Sequence, residues 1–236
     1  MFVGHYGVGL AAKRVDARLP LGWLFLAVQF PDIVWGVLLL LGVEKARIVP
    51  GFMDASDLDL FYHPYSHGLL TTLLWAAAAF ALVRLLPARD GTGARRRVVA
   101  AVMAAAIHSH FLLDVLVHSP DLPLYGDRAK IGLGLWRNAG VAYAIEGLIL
   151  VGGLILYLRA TTAATAVGRY GMVALVAFML AFNASVLFGP PPADLRLVAA
   201  GPLAAYALFA ALAVWLDGKR PPAATAGSTT GRTFAS

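Results

Sequence analysis

Six apolar runs, at residues 21–43, 66–87, 98–118, 139–158, 170–189 and 198–216, constrain this chain more than any other feature. Each approaches the roughly 20 mainly apolar residues that a helix needs to cross the hydrocarbon of a bilayer. Backbone groups in lipid have no water to bond, so only helices and closed barrels can span it. Barrel strands alternate polar and apolar positions, whereas these runs are continuously apolar and rich in Ala and Leu. The expected class is therefore all-α: a polytopic membrane protein of about six transmembrane helices. Composition agrees, with 60% hydrophobic and 14% charged residues among 236 and a mean hydropathy of +0.75.

The net charge of +6 could suggest a nucleic-acid partner, but membrane proteins concentrate Lys and Arg in cytoplasmic connections. Lys13, Arg14, Arg18, Arg84, Arg89, Arg95, Arg96, Arg97, Arg159, Arg169, Lys219, Arg220 and Arg232 fall in the N-terminal segment, in alternate connections or in the tail. The opposite connections hold fewer basic residues, together with Glu44, Asp54, Asp57, Asp59, Asp121 and Asp127. This bias puts both termini in the cytoplasm and predicts membrane lipid, not nucleic acid, as the surrounding partner. Lys13 and Arg14 follow the first short apolar stretch instead of preceding it, so no cleaved signal peptide is expected. A plasma membrane, most simply a bacterial inner membrane, is the expected location.

Residues 1–216 read as one membrane domain, with a polar half at 1–125 and supporting spans at 126–216. The Pro/Gly/Ser/Thr-rich stretch 217–236 reads as a disordered cytoplasmic tail. Val3 to Ala12 is apolar but too short to span, and is expected to be either a half-depth helix that brings His5 level with Asp32 or an interfacial helix. Pro31 should bend the first span by removing a backbone donor.

All six histidines, His5, His63, His67, His108, His110 and His118, lie in the first half. Asp32 and Asp114 lie inside apolar runs, where a carboxylate costs about 2.5–3.5 kcal/mol on the insertion scale and so needs a partner or a cation. His110, Asp114 and His118 follow an i, i+4, i+8 spacing and share one helical stripe. With no cysteine in the chain, any metal must sit on N and O donors, which suit zinc or manganese. His5, Asp32, His67, His110, Asp114 and His118 are the expected ligands. His108 faces away from the stripe and is expected to pack or hydrogen-bond. His63 precedes Pro64, which pushes it out of helical geometry; it could serve in catalysis, as a ligand or at headgroup level. Glu146 is a candidate general base, or a carboxylate held by Arg137 or by neighbouring helices. Asp54, Asp57 and Asp59 lack calcium-loop spacing and read as solvated charges.

A His near the N-terminus, Pro31-Asp32 some way on, His63 with Ser66-His67 opening the next helix, and His110 with Asp114 together resemble the predicted membrane-bound metal-dependent hydrolases. That family is also described as LexA-binding, inner-membrane-associated hydrolases. The resemblance covers residues 1–125. It departs where the family carries a second acidic residue after Pro-Asp, here Ile33 and Val34, and an Arg-Gly after the first paired His, here Pro64-Tyr65. It implies a metal-dependent hydrolase. A divalent ion on three or more N/O donors with one open position would activate a water, and a site that opens toward the outer leaflet makes a phosphoester or ester of a lipid or another amphiphile the expected substrate. The alternatives from the residues alone are a metal or proton transporter, a haem-binding electron carrier, and a membrane scaffold with a structural His/Asp network.

Overall fold

The computed structural model describes residues 1–85 and 93–223. In chain order the elements are α1 (Val3–Ala12), α2 (Leu21–Val28), α3 (Phe30–Leu40), a hairpin of β1 (Lys45–Met53) and β2 (Ser56–Tyr62), α4 (Leu69–Leu85), α5 (Gly93–Val117), a hairpin of β3 (Leu122–Tyr125) and β4 (Arg128–Ile131), a 3-10 turn at Leu135–Arg137, α6 (Ala139–Ala160), α7 (Ala166–Leu187) and α8 (Leu195–Asp217). Among the described residues α5, α6, α7 and α8 are long and apolar enough to cross a membrane, and α2 with α3 makes a fifth candidate span bent by 55°. Many of their large side chains face outward without an aqueous rationale, such as Leu148, Phe178, Leu208 and Val214, as expected where the solvent is lipid.

Four or five spans among the described residues thus meet the length and hydropathy of a crossing helix, against the six expected. The run at 66–87 begins its helix only at Leu69, because Ser66 and His67 belong to an irregular turn tied to Glu44. Pro64, a residue type suited to the first helical position, stands in that turn instead. The first span bends where expected, with Pro31 in the first turn of α3 after a break at Gln29.

The short helix α1 is not a surface element. His5, Tyr6, Gly7 and Leu10 are buried, and α1 packs chiefly on α6, with further contacts to α2 and α5. Small residues permit this close approach, the usual device for joining helices in lipid. A Cβ added at Gly153 of α6 would lie 2.6 Å from the Gly7 Cα and closer still to the Gly7 carbonyl oxygen.

Two connections expected to be simple loops form antiparallel hairpins, so the class is helical with two small extramembrane hairpins rather than all-α. In the first, Arg47 pairs across the strands with Asp59 at 2.6 Å, and the Asp57 carboxylate accepts the Gly51 N–H. Asp54 accepts the Ala139 N–H, 2.7 Å away at the start of α6. These aspartates therefore organise the hairpin and its seat, beyond being solvated charges. Beside it, Trp35, Ala46, Leu60 and Val198 form a small apolar cluster under the hairpin.

The opposite end gathers the basic connections. Lys13 pairs with Asp217 at 2.7 Å and Arg95 with Asp16 at 2.9 Å, while Thr161 forms a bridge with Pro222. Arg220 is buried and donates to the Thr161 hydroxyl, the Thr161 carbonyl and the Gly168 carbonyl. The first residues expected in a disordered tail, 217–223, are thus held down, because their cation finds carbonyl acceptors at the exposed ends of α6 and α7. The remainder of that tail, and residues 88–92 of the charged 88–97 connection, lie outside the described residues, while 93–97 of that connection form the start of α5.

Candidate metal centre

The bend between α2 and α3 puts Asp32 in the first turn of α3. The turn before α4 presents His67, and the C-terminal half of α5 presents His110, Asp114 and His118. All converge toward the hairpin end, with His5 brought in from α1. Two overlapping sets of three make the centre, Asp32 with His67 and His110, and His5 with His110 and Asp114, and a third set beside it joins His63, His118 and Asp121. The shortest separations are His67–Asp32 3.2 Å, His67–His110 3.3 Å, His67–Asp114 3.6 Å, His110–Asp32 3.6 Å and His110–Asp114 3.1 Å. Ligands at about 2.0–2.1 Å from a tetrahedral zinc ion stand about 3.4 Å apart, so Asp32, His67 and His110 have the spacing of three such ligands.

His5 Nε2 lies 3.2 Å from Asp114 Oδ1, and its ring stacks on His110 at 3.8 Å between centroids. His118 Nε2 lies 3.8 Å from Asp114 Oδ2. The amino nitrogen of Met1 also donates to Asp114 Oδ1 at 2.6 Å, so both carboxylate oxygens of Asp114 are engaged. Asp32 keeps 17% of its side chain exposed, against 1% for Asp114 and 0% for His110, so the centre is reached from the Asp32 side. The second oxygen of Asp32 accepts the Tyr206 hydroxyl of α8 at 2.9 Å.

The three histidines nearest Asp114 from α5 and the 63–68 turn are oriented through their outer nitrogens. His110 Nδ1 lies 2.7 Å from the Val28 carbonyl at the helix break, His67 Nδ1 lies 2.7 Å from the Ser66 hydroxyl, and His118 Nδ1 lies 2.9 Å from Asp121 Oδ1. A carbonyl and a carboxylate can only accept, so they assign the proton of His110 and His118 to Nδ1 and turn the Nε2 lone pair inward. Ser66 donates its own proton to Glu44 Oε2 at 2.6 Å and is left to accept from His67 Nδ1. The Glu44 carboxylate is fully buried and takes the Tyr65 and Ser66 backbone N–H groups on its other oxygen. A chain of Glu44, Ser66 and His67 therefore fixes the inward nitrogen of His67.

The inward nitrogens of His67 and His110 stand 3.3 Å apart. Two N–H groups cannot face one another at that distance, so either one ring donates to the lone pair of the other or a cation stands between two lone pairs.

The six expected ligands are thus brought into one neighbourhood, five of them in two sets that share His110, and His118 in a third set with His63 and Asp121. His63 is buried with both ring nitrogens unpartnered; its ring stands 5.5 Å from that of His67 and 6.1 Å from that of His118. Glu146 is outside the shell: its Oε2 accepts the Phe2 and Gly4 N–H groups at 2.8 and 3.2 Å, capping the start of α1 where exposed N–H groups favour a carboxylate. Its bonding is to a neighbouring helix, one of the two readings its sequence allows, and Arg137 is not its partner among the described residues. His108 stacks on Phe111 and lies 3.4 Å from the Thr72 hydroxyl, a packing residue as expected.

Glu44, Ser66, Tyr206 and Asp121 escape sequence reading. Ser66 beside His67 was the available clue, since a ligating imidazole needs an acceptor for its other nitrogen. Glu44, 22 residues before Ser66, reads as one more loop charge, and Tyr206 reads as an ordinary amphipathic aromatic in an otherwise plain span. Compared with known protein families, with curated proteins and with solved structures, the chain matches none.

Proposed function

We propose that this chain is a membrane-embedded, metal-dependent hydrolase that acts on a phosphoester or ester of a lipid or other amphiphile. The reading rests on one observation above all: buried His and Asp donors from separated segments form two sets of three that share His110, Asp32/His67/His110 and His5/His110/Asp114, each close enough to hold an ion. Zinc and manganese both accept these donor types. A divalent ion bound there supplies Lewis acidity, lowering the pKa of a coordinated water from 15.7 toward about 7.

The protein's own residues do the rest. Asp32 and Asp114 balance the ion's charge in a low-dielectric surrounding, and the Val28 carbonyl, Ser66 and Asp121 hold the imidazoles in register. His63, buried with both nitrogens free beside His67, is the group available to take a proton from the attacking water. Glu146 is committed to the start of α1 and acts on the site through the position of that helix. Tyr206 holds the more exposed carboxylate at the side from which substrate approaches.

The resemblance of His5, Pro31-Asp32, Ser66-His67 and His110 to Asp114 to membrane-bound hydrolases supports the same reaction class. With the basic end in the cytoplasm, as the charge bias predicts, the centre lies toward the outer leaflet of a bacterial inner membrane, where a headgroup can reach it.

Metal analysis of detergent-purified protein grown with zinc or manganese, wild type against Asp114→Ala and His67→Ala, tests the foundation. Stoichiometric metal in the wild type and its loss in both variants is expected, followed by metal-dependent release of product from phosphoester or lipid-ester substrates. A metal-free wild type removes the proposal.

A further inference from the structure

We propose that the cavity at the basic end of the bundle binds the headgroup of an anionic phospholipid. This site is separate from the metal centre. It lies where the loop after α1, the start of α5, the end of α6 and the strap after α8 meet, and it encloses about 630 Å³. Among the described residues four arginines line it, Arg14, Arg18, Arg95 and Arg159, with Asp16 as the lone carboxylate. Asp16 is shared: it takes the Arg18 guanidinium at 3.0 Å on one oxygen and the Arg95 guanidinium at 2.9 Å on the other. Lys13, also at the cavity, is turned away to Asp217 and the Leu19 carbonyl.

Arg14 and Arg159 are exposed, and among the described residues neither guanidinium has an ion pair or hydrogen bond. Fixing topology requires only that basic residues fall in the right connections. It does not require that four from three connections surround one cavity with one shared counter-charge. Guanidinium groups suit phosphate oxygens through paired N–H donors.

The ligand is a lipid and not a free phosphate because of what borders the charges. Val15 and Val98 line the same cavity and are 62% and 41% exposed, and the lipid-facing sides of α5 and α6 continue from it. A headgroup between the arginines leaves its acyl chains against those apolar surfaces. Basic pockets between helices at the cytoplasmic face are the type of site that holds anionic headgroups.

The test uses the full chain in bilayer discs of phosphatidylcholine mixed with phosphatidylglycerol, followed by native mass spectrometry of the released protein. Retention of phosphatidylglycerol over phosphatidylcholine by at least about tenfold is expected, with the preference lost in the Arg14→Gln/Arg159→Gln double variant and kept in Arg196→Gln at the other end. Equal retention of the two lipids, or a preference that survives in the double variant, overturns the proposal. Inorganic phosphate that competes at the same concentration as phosphatidylglycerol also overturns it, by assigning the cavity to a free anion. Thermal melting of each variant checks that exposed arginines have been changed without unfolding the chain.

Discussion

Replacing Ser66 by Ala isolates the orienting chain behind His67. The substitution deletes one oxygen that accepts from His67 Nδ1 at 2.7 Å and donates to Glu44 Oε2 at 2.6 Å. Glu44 keeps its two backbone donors at 2.8 and 2.9 Å, but its second oxygen loses a charge-assisted bond in a fully buried position. A buried acceptor left in this way costs about 1–3 kcal/mol of stability. His67 loses the acceptor that keeps its proton on Nδ1, so the Nε2 lone pair, 3.2 to 3.6 Å from the other three donors, is no longer guaranteed. Loss of such an outer partner lowers metal affinity by about 10- to 100-fold. Chelator competition with zinc at fixed pH reads this directly, and nitrogen chemical shifts of His67 in metal-free protein read the tautomer. Ser66→Thr keeps a hydroxyl and should restore affinity. Affinity of Ser66→Ala within about twofold of wild type, where Asp114→Asn abolishes binding, would refute the orienting role, since the outer-partner effect is about tenfold or more.

Gly153→Ala places a methyl 2.6 Å from the Gly7 Cα; α1 must retreat, at about 1–3 kcal/mol for overpacking, and thermal melting should fall while the His5-dependent part of metal affinity drops. Removing metal with EDTA should lower the melting temperature, because an ion held at a concentration about 1,000 times its Kd stabilises the folded state by about 4.1 kcal/mol; an unchanged melt would mean that no ion had been bound. Burial by itself raises the Asp16 carboxyl, but the Arg18 side chain and backbone N–H and then Arg95 outweigh it and hold the group at about 2. Its contribution to stability is thus full above the ordinary value of about 3.9 and lost as pH falls through about 2, so the melting difference between wild type and Asp16→Asn should be level at neutral pH and vanish in strong acid.

Hydropathy alone determined that helices in lipid would carry this chain, because continuous apolar runs leave the backbone no other partner. The cost of a carboxylate in such a run singled out Asp32 and Asp114, and the four-residue spacing on α5 joined His110 and His118 to Asp114. The bend at Pro31 was legible for the same local reason. What sequence could not supply were distances between segments far apart in the chain. Glu44 meets Ser66, and Tyr206 meets Asp32, only because the bend and the close packing of α8 on α2 and α3 bring them together. Glu146 looked like a catalytic carboxylate because composition records its burial cost and not its partner, and tertiary structure supplied that partner in the start of α1. The length of α4 was likewise decided by contacts outside it, since bonds to Glu44 hold its first expected residues out of the helix. Local periodicity fixes which side chains share a face, whereas the meeting of faces is set by packing, and the cluster of His and Asp that could hold a metal belongs to the second kind of information.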